Sequence, residues 1–366
     1  MPPRPADAVH ARWMRRALQL AERGAGQVAP NPKVGAVLVR DGVLVGEGWH
    51  ATFGGPHAEV MALRMAGDRA RGATAYVSLE PCHHHGKTPP CTEALVAAGV
   101  AAVVYAVADP NPVAAGGDAY LRAAGMAVIA GVLEDEAREL NAPFLMAARG
   151  ASRPFVTLKL ALSIDGGLVD ASRQRGWLTG PATQQAVHAL RADADAVGVG
   201  IGTVLADDPA LTVRLVPAPR VAPVRVVFDR QARLPLDSRL AQTTAEAPVL
   251  LLVSPSADPA RRAALEALGV MVVEAGDWGD ALVALRGRGI RHLLLEGGAG
   301  MASAAMTAGT VDHLITFQAP VILGRDLLPP FGALPARAAA SAPRLRVLAR
   351  RVLEGDAMTH YVVGGG

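Results

Sequence analysis

The chain has 366 residues, 51% of them hydrophobic and 19% charged, a balance that excludes an intrinsically disordered protein and leaves length for two domains. Its 36 basic and 33 acidic residues are interspersed, for a net charge of +3 without a block of like charge, which argues against nucleic acid as the main partner. The longest apolar stretch, 94–108, is broken by Gly99 and falls short of the roughly 20 residues a membrane span needs; no apolar core follows Arg4, so a cytoplasmic enzyme is expected.

In chain order, Asp7 is placed to cap a helix whose apolar face is Val9, Trp13, Met14, Ala17, Leu18 and Ala21, ended by Gly24. A strand over 34–39, an Asp41-Gly42 turn and a return over 43–48 form a hairpin. The pattern then predicts a helix over 57–66, a strand over 73–79, a helix over 91–98, a strand over 101–107 and a helix near 118–124, an α/β layered domain. A helix over 133–147 runs into the polar, Gly- and Pro-containing segment 149–154, which sets a domain boundary near residue 150 and two domains, 1–150 and 151–366. Beyond it, strands over 155–161, 196–200, 224–228, 249–253, 270–273 and 292–295 and helices over 183–191, 259–268 and 300–308 favour a mostly parallel sheet. The stretch 334–351, rich in Ala, Arg and Pro, is assigned no element.

The chemistry begins with Gly54-Gly55-Pro56-His57-Ala58-Glu59, a His and an acid two apart where a turn meets a helix, followed by Glu80-Pro81-Cys82 after a strand. Cys82 and Cys91 are the only cysteines, and a cross-link between them would close a short loop in a chain large enough to be stable without it, so metal ligation is favoured. Helix N-termini favour thiolate over thiol at both cysteines, and zinc is the natural occupant of such a site. Ligation by His57, Cys82 and Cys91 would leave a fourth position for an activated water, with Glu59 as general acid and base. The zinc deaminase pattern is H-x-E followed by P-C-x-x-C, whereas the cysteines here stand farther apart. One of His83, His84 or His85 would, as a fourth ligand, close the site and make it structural.

The long loop, His83-His84-His85-Gly86-Lys87-Thr88-Pro89-Pro90, together with Pro30-Asn31-Pro32, resembles the deaminase half of the bacterial bifunctional riboflavin-biosynthesis deaminase/reductase family. The resemblance implies a cytidine-deaminase-like three-layer α/β/α domain followed by a dihydrofolate-reductase-like α/β domain. It implies that Asn31 and His50 contact substrate, that the loop histidines line its mouth and that Lys87 meets a phosphate.

The likeness continues through Lys159-Leu160-Ala161-Leu162-Ser163-Ile164-Asp165-Gly166, Trp177-Leu178-Thr179-Gly180, Gly200-Ile201-Gly202-Thr203 with Asp207-Asp208-Pro209, and Leu211-Thr212-Val213-Arg214. From these it implies that Ala161, Trp177, Thr203 and Asp207 contact NADPH and that Lys159, Arg191, Leu211 and Arg214 contact substrate. The segment from Leu293 through Glu296-Gly297-Gly298-Ala299-Gly300 reads as a strand, a glycine turn and a helix start that presents backbone N–H groups to a phosphate. Such a turn is common in α/β proteins, but combined with the family likeness it implies that Gly298, Ala299, Gly300, Met301, Ala302, Ser303 and Ala304 cradle the cofactor phosphate and that Glu296 holds substrate hydroxyls. Arg175 and Arg230 stand where the family commonly has serines, so those two roles are not carried over.

The implied reactions are hydrolytic deamination of a phosphoribosylaminopyrimidine with one zinc ion, then NADPH-dependent reduction of the ribosyl side chain to ribityl, in a homo-oligomer. Two other readings stay open from the residues alone: a deaminase of free bases, nucleosides or tRNA with a supporting second domain, and a metal-stabilised nucleotide-binding regulator.

Overall fold

The hairpin forms because Asp41 and Gly42 both take positive φ, 52° and 76°, as a two-residue primed turn requires. It joins β1 (Gly35–Arg40) to β2 (Val43–Trp49). The computed structural model describes residues 5–85, 89–113, 115–170, 178–336, 338–340, 342 and 344–363, and the expectations for Lys87, Arg175 and Trp177 lie outside them. The chain divides into two compact units, Met1–Ala151 and Ser152–Gly366.

In the first unit α1 (Pro5–Ala21) precedes the hairpin, and α2 (Ala58–Ala66), β3 (Thr74–Leu79), α3 (Cys91–Ala97), β4 (Ala102–Val107), α4 (Gly117–Ala123), β5 (Ala127–Ala130), α5 (Glu134–Leu140) and α6 (Ala142–Ala148) follow it. The sheet order is β2-β1-β3-β4-β5, antiparallel through β3 and parallel beyond it. Met14, Ala17 and Leu20 of α1 and Ala137 of α5 close one face on Val37, Tyr76 and Val104. Ala58 and Ala62 of α2, Leu95 of α3 and Leu121 of α4 close the other on Ala36, Leu38 and Val103, which completes three layers.

Three details differ from the sequence reading. Asp7 lies inside the first turn of α1 rather than capping it, and Val9 is 51% exposed, away from the packed face. The helix expected over 133–147 is two, because Pro143 has no N–H to continue the ladder. At the break, the Asn141 side chain accepts from Lys33 N and donates to Lys33 O, both at 2.9 Å. The short β5, with a single buried residue, carries too little apolar signal to be found from sequence.

The helix α2 lies directly on β2, where a Cβ at Gly46 would stand 2.3 Å from the carbonyl oxygen of Ala62. Gly46→Ala is therefore expected to push α2 off the sheet and to cost the first unit about 1–3 kcal/mol. An unchanged urea midpoint for that unit would show that the helix has room to shift.

The second unit runs β6 (Phe155–Leu162), α7 (Pro181–Asp193), β7 (Ala196–Gly200), α8 (Ile201–Asp207), β8 (Val224–Phe228), α9 (Arg239–Gln242), β9 (Val249–Val253), α10 (Pro259–Ala267), β10 (Met271–Glu274), α11 (Trp278–Gly287), β11 (His292–Leu295), α12 (Ala299–Thr307), β12 (His313–Gln318), β13 (Arg346–Leu353) and β14 (Asp356–Val362). Its sheet has the order β10-β9-β8-β7-β11-β6-β12-β14-β13, parallel from β10 to β12 and antiparallel beyond. Helices cover both faces, with Leu282, Leu285, Ala302 and Ala305 in one core and Val204, Leu240 and Leu265 in the other.

The last three strands and the helices α8, α9 and α11 were not foreseen as elements. For β13 the reason is plain: it is an edge strand with no buried residue, so its sequence shows no apolar alternation. The helix α7 has only Gly180 at its N-cap, and Asp356 of β14 supplies the missing acceptor, taking Gly180 N at 2.8 Å and Thr183 Oγ1 at 2.7 Å.

Candidate functional site

In the first unit, three segments converge at one end of the sheet. His57 is the extended residue before α2, Glu59 lies in that helix's first turn, Cys82 follows β3, and Cys91 opens α3. Only Cys91 sits at a helix start; the segment around Cys82 is not helical, so the helix-dipole argument for that thiol is corrected. The His57 Nδ1 atom is 3.5 Å from Cys82 Sγ and 3.3 Å from Cys91 Sγ, and the three donor atoms lie within 4.8 Å of one another.

The donors share protons that a cation would displace. Hydrogen bonds from Cys91 and then His57 pull the Cys82 thiol down to about 4, while Cys91, left holding the shared proton and deeply buried, is pushed up. Two sulfurs and an imidazole in this arrangement fit zinc. Glu59 is not one of the donors; it is 4% exposed, and its Oε2 has no hydrogen-bond partner among the described residues. Burial, reinforced by the negative Cys82, pushes its carboxyl up to about 7.

Glu59, His57 and Cys82 line a cavity of about 170 Å³ together with Asn31, His50, His84, Asp109 and Asn111. The His50 Nδ1 atom lies 3.1 Å from the Pro56 carbonyl and must donate, so Nε2 is the acceptor for the Asn31 amide at 3.1 Å. Burial keeps that imidazole below its ordinary value and neutral.

None of the three loop histidines joins the donor group. His83 donates from Nδ1 to Thr92 Oγ1 at 2.9 Å and stacks on Tyr120, His84 lines the cavity, and His85 is exposed. Asp109 and Asn111 were missed, although Asp109-Pro110-Asn111-Pro112 is a turn signal directly after β4. Glu80 accepts from Asp109 N at 3.3 Å and Asp118 N at 3.0 Å and so ties that turn to α4.

In the second unit the C-terminal ends of the adjacent parallel strands β7, β11 and β6 carry the expected residues, the position where open α/β sheets take ligands. Glu296, just past β11, is a chelated carboxylate. Arg191 of α7 donates to Oε1 and, at 2.9 Å, to Oε2, and Lys159 Nζ of β6 lies 3.2 Å from Oε2. Burial pushes Glu296 up, but Lys159 and Arg191 outweigh it and hold the carboxyl down at about 2. Arg191 also donates to Thr212 O at 3.0 Å, and Arg214 Nη1 donates to Thr212 Oγ1 at 2.7 Å, so Lys159, Arg191, Arg214 and Glu296 form one connected group.

Ala161 lies two residues beyond Lys159 on the same face of β6. Thr203 and Asp207 lie four apart on α8, and a Cβ at Gly298 would meet Thr203 Oγ1 at 3.6 Å, so α8 and the start of α12 adjoin. Gly297 was missed: a Cβ there would be 2.4 Å from that of Met301, so no side chain fits.

Three expectations narrow. Leu211, 3% exposed at φ 52°, places its side chain in the core, which leaves its backbone as the part that could meet a ligand. Ala302 and Ser303 are buried, and Ala302 N begins the helix's own ladder by donating to Gly298 O, so Ala299, Gly300 and Met301 are the residues whose N–H groups precede it. Ala304 retains access, lining a cavity of about 310 Å³ with Gly300, Met301, Phe228 and Trp278. Arg230 is exposed, borders the same cavity and donates to Gly276 O at 2.9 Å.

Comparison with known proteins matches the two units to two domain families. A family model for the cytidine and deoxycytidylate deaminase zinc-binding region matches residues 7–107, and the RibD C-terminal domain matches 154–356. The riboflavin biosynthesis protein RibD of Aquifex aeolicus is 42% identical over 316 residues, covering 86% of this chain and 88% of that one. The chain belongs to the RibD family. The Escherichia coli RibD is 43% identical over 329 residues, again covering 86% of this chain and 88% of that one. Among solved structures, Acinetobacter baumannii RibD superposes with a TM-score of 0.81 at 40% identity, covering 98% of this chain and 100% of that one. The Thermotoga maritima diaminohydroxyphosphoribosylaminopyrimidine deaminase/5-amino-6-(5-phosphoribosylamino)uracil reductase gives 0.81 at 36% identity, with coverage of 98% and 100%. The deaminase-like fold of the first unit and the reductase fold of the second are thus those of RibD proteins, as the resemblance implied. No helix among the described residues is long and apolar enough to cross a membrane.

Proposed function

We propose that in this bifunctional riboflavin biosynthesis enzyme residues 1–150 carry the deamination and residues 151–366 the reduction, each through the side chains that the two units gather. The observation that carries the first half is the trio of soft donors within 4.8 Å beside a buried carboxylate with an unpartnered oxygen. His57, Cys82 and Cys91 would hold zinc, which would supply the Lewis acid that makes water nucleophilic at neutral pH. Glu59 takes a proton from the attacking water and returns it to the ring nitrogen, and a second transfer sends ammonia off as the leaving group. Asn31, whose amide N–H serves His50, keeps its carbonyl oxygen as an acceptor for a substrate amino group.

In the second unit Ala161, Thr203, Asp207 and the start of α12 would hold NADPH, which would be the hydride source for the anomeric carbon. Glu296, ionised between its two cations, accepts hydrogen bonds from the sugar hydroxyls, Lys159 delivers the accompanying proton, and Arg214 meets the phosphate with its planar fork. Thr203, Asp207, Ala161 and the first turn of α12 form the cofactor side, where the helix N-terminus suits a diphosphate.

The substrate is a small molecule and not a nucleic acid; the charge pattern and the family likeness support a cytoplasmic homo-oligomer. Sedimentation that returned only monomer at micromolar concentration would remove the assembly. The assignment itself is tested by supplying the phosphoribosylated diaminopyrimidine with and without NADPH while following ammonia and reduced-nicotinamide absorbance together. Ammonia is expected in both tubes and NADPH oxidation only after it; oxidation without prior ammonia release would reverse the order of the steps, and absence of ammonia would remove the first-unit roles.

A further inference from the structure

His188 takes no part in the chemistry above, yet it is 3% exposed and stands three residues before Arg191 on α7, on the same face. Its Nδ1 accepts the backbone N–H of Arg214 at 3.0 Å. Arg191 meanwhile holds the carbonyl of Thr212 at 3.0 Å. The segment that carries Arg214 is thus fixed at two points by one helix, and that helix is itself pinned by Asp356. We infer that His188 is a positioning residue of the reductase site, which sets the backbone of Arg214 so that its guanidinium, an exposed group on an otherwise irregular segment, meets the substrate phosphate. This rests on the reading of Arg214 as the phosphate contact.

Nδ1 can accept only when unprotonated, which leaves the ring proton on Nε2. Three charged groups face the ring: Arg191 from its own helix, Arg214 from the segment it holds, and Glu296 beyond β11. Burial first, then the two guanidiniums, keep the imidazole down at about 4 against the opposing pull of Glu296, so the acceptor persists across the physiological range. A residue that orients a binding group without touching reacting atoms changes substrate affinity before it changes turnover.

The test is a double-mutant cycle in the full-length, zinc-loaded enzyme, with the KM of the phosphorylated uracil substrate, kcat and NADPH affinity measured for H188L, R214A and the pair. H188L is expected to raise KM roughly tenfold through loss of one buried acceptor, with kcat held within about twofold and NADPH affinity unchanged. In the R214A background the same change is expected to add little. H188N, which sets Oδ1 where Nδ1 stood, is expected to restore most of the KM, and H188Q, which reaches to the Nε2 position, is not; this pair serves also if the leucine variant fails to fold. Equal KM penalties for H188L with and without Arg214, or H188N no better than H188Q, would overturn the role of His188 alone. A wild-type KM in R214A would instead overturn the reading of Arg214 and the inference with it.

Discussion

Glu59→Gln is expected to bind zinc as the parent does and to release ammonia about 10²–10⁴-fold more slowly, the usual cost of removing a general acid and base. The separation of the two effects follows from geometry: the metal donors are His57, Cys82 and Cys91, and Glu59 stands outside the trio with a bare oxygen toward the same cavity. The amide keeps size and burial while removing only the ability to carry a proton. Metal content by atomic absorption and ammonia release in a coupled assay read the two halves, and reduction of independently supplied aminouracil phosphate by the same preparation is expected to be normal. Turnover at the parental rate would exclude Glu59 as the proton shuttle, and loss of zinc would make it part of the metal site.

Glu296→Ala is expected to abolish reduction, leave ammonia release intact and lower the stability of the second unit by about 3–5 kcal/mol, because removing one member of a buried ion group leaves the others uncompensated. The side chains of Glu296, Arg191 and Lys159 are 7%, 11% and 15% exposed, so neither cation can recover its hydration in place. Glu296→Gln, which keeps acceptor capacity, is expected to lose less stability while still losing activity.

The same group sets an acid limit. Its pKa in the folded unit is depressed to about 2 from an ordinary 4.5, so its contribution is complete above about 4.5 and is lost as pH falls from there toward 2. Thermal unfolding of the second unit is therefore expected to shift less with pH over that window in Glu296→Gln than in the parent. An identical pH dependence in the two proteins would show that the ion group contributes nothing there.

The zinc site was legible because its chemistry is written in short local strings. His57-Ala58-Glu59 sets a metal-donor type at the entry of a helix and a carboxylate in its first turn, and two cysteines in a chain without others leave few roles. The spacing of those cysteines was not decisive, since the wide loop between them brings Cys91 back beside His57 only through the packing of α3 against α2. In the second unit the carboxylate and its two cations come from β6, α7 and the end of β11, three segments far apart in sequence, and each looks like an ordinary charged residue alone. Family likeness supplied their roles, but only the fold shows that Lys159 and Arg191 are paired with Glu296 and not merely near a ligand.

By itself, the sequence determined the α/β class, the hairpin at Asp41-Gly42 and the presence of a zinc-suited His and Cys set, since each depends on periodicity, turn conformation or donor chemistry within a few residues. Tertiary structure decided which residues of the glycine-turn helix are buried, that the Leu211 side chain packs in the core, that Pro143 splits the fifth and sixth helices, and that His188 accepts the backbone N–H of Arg214. Burial and long-range hydrogen bonds are properties of how the layers close over one another, and a linear string carries no record of which face of each element is covered.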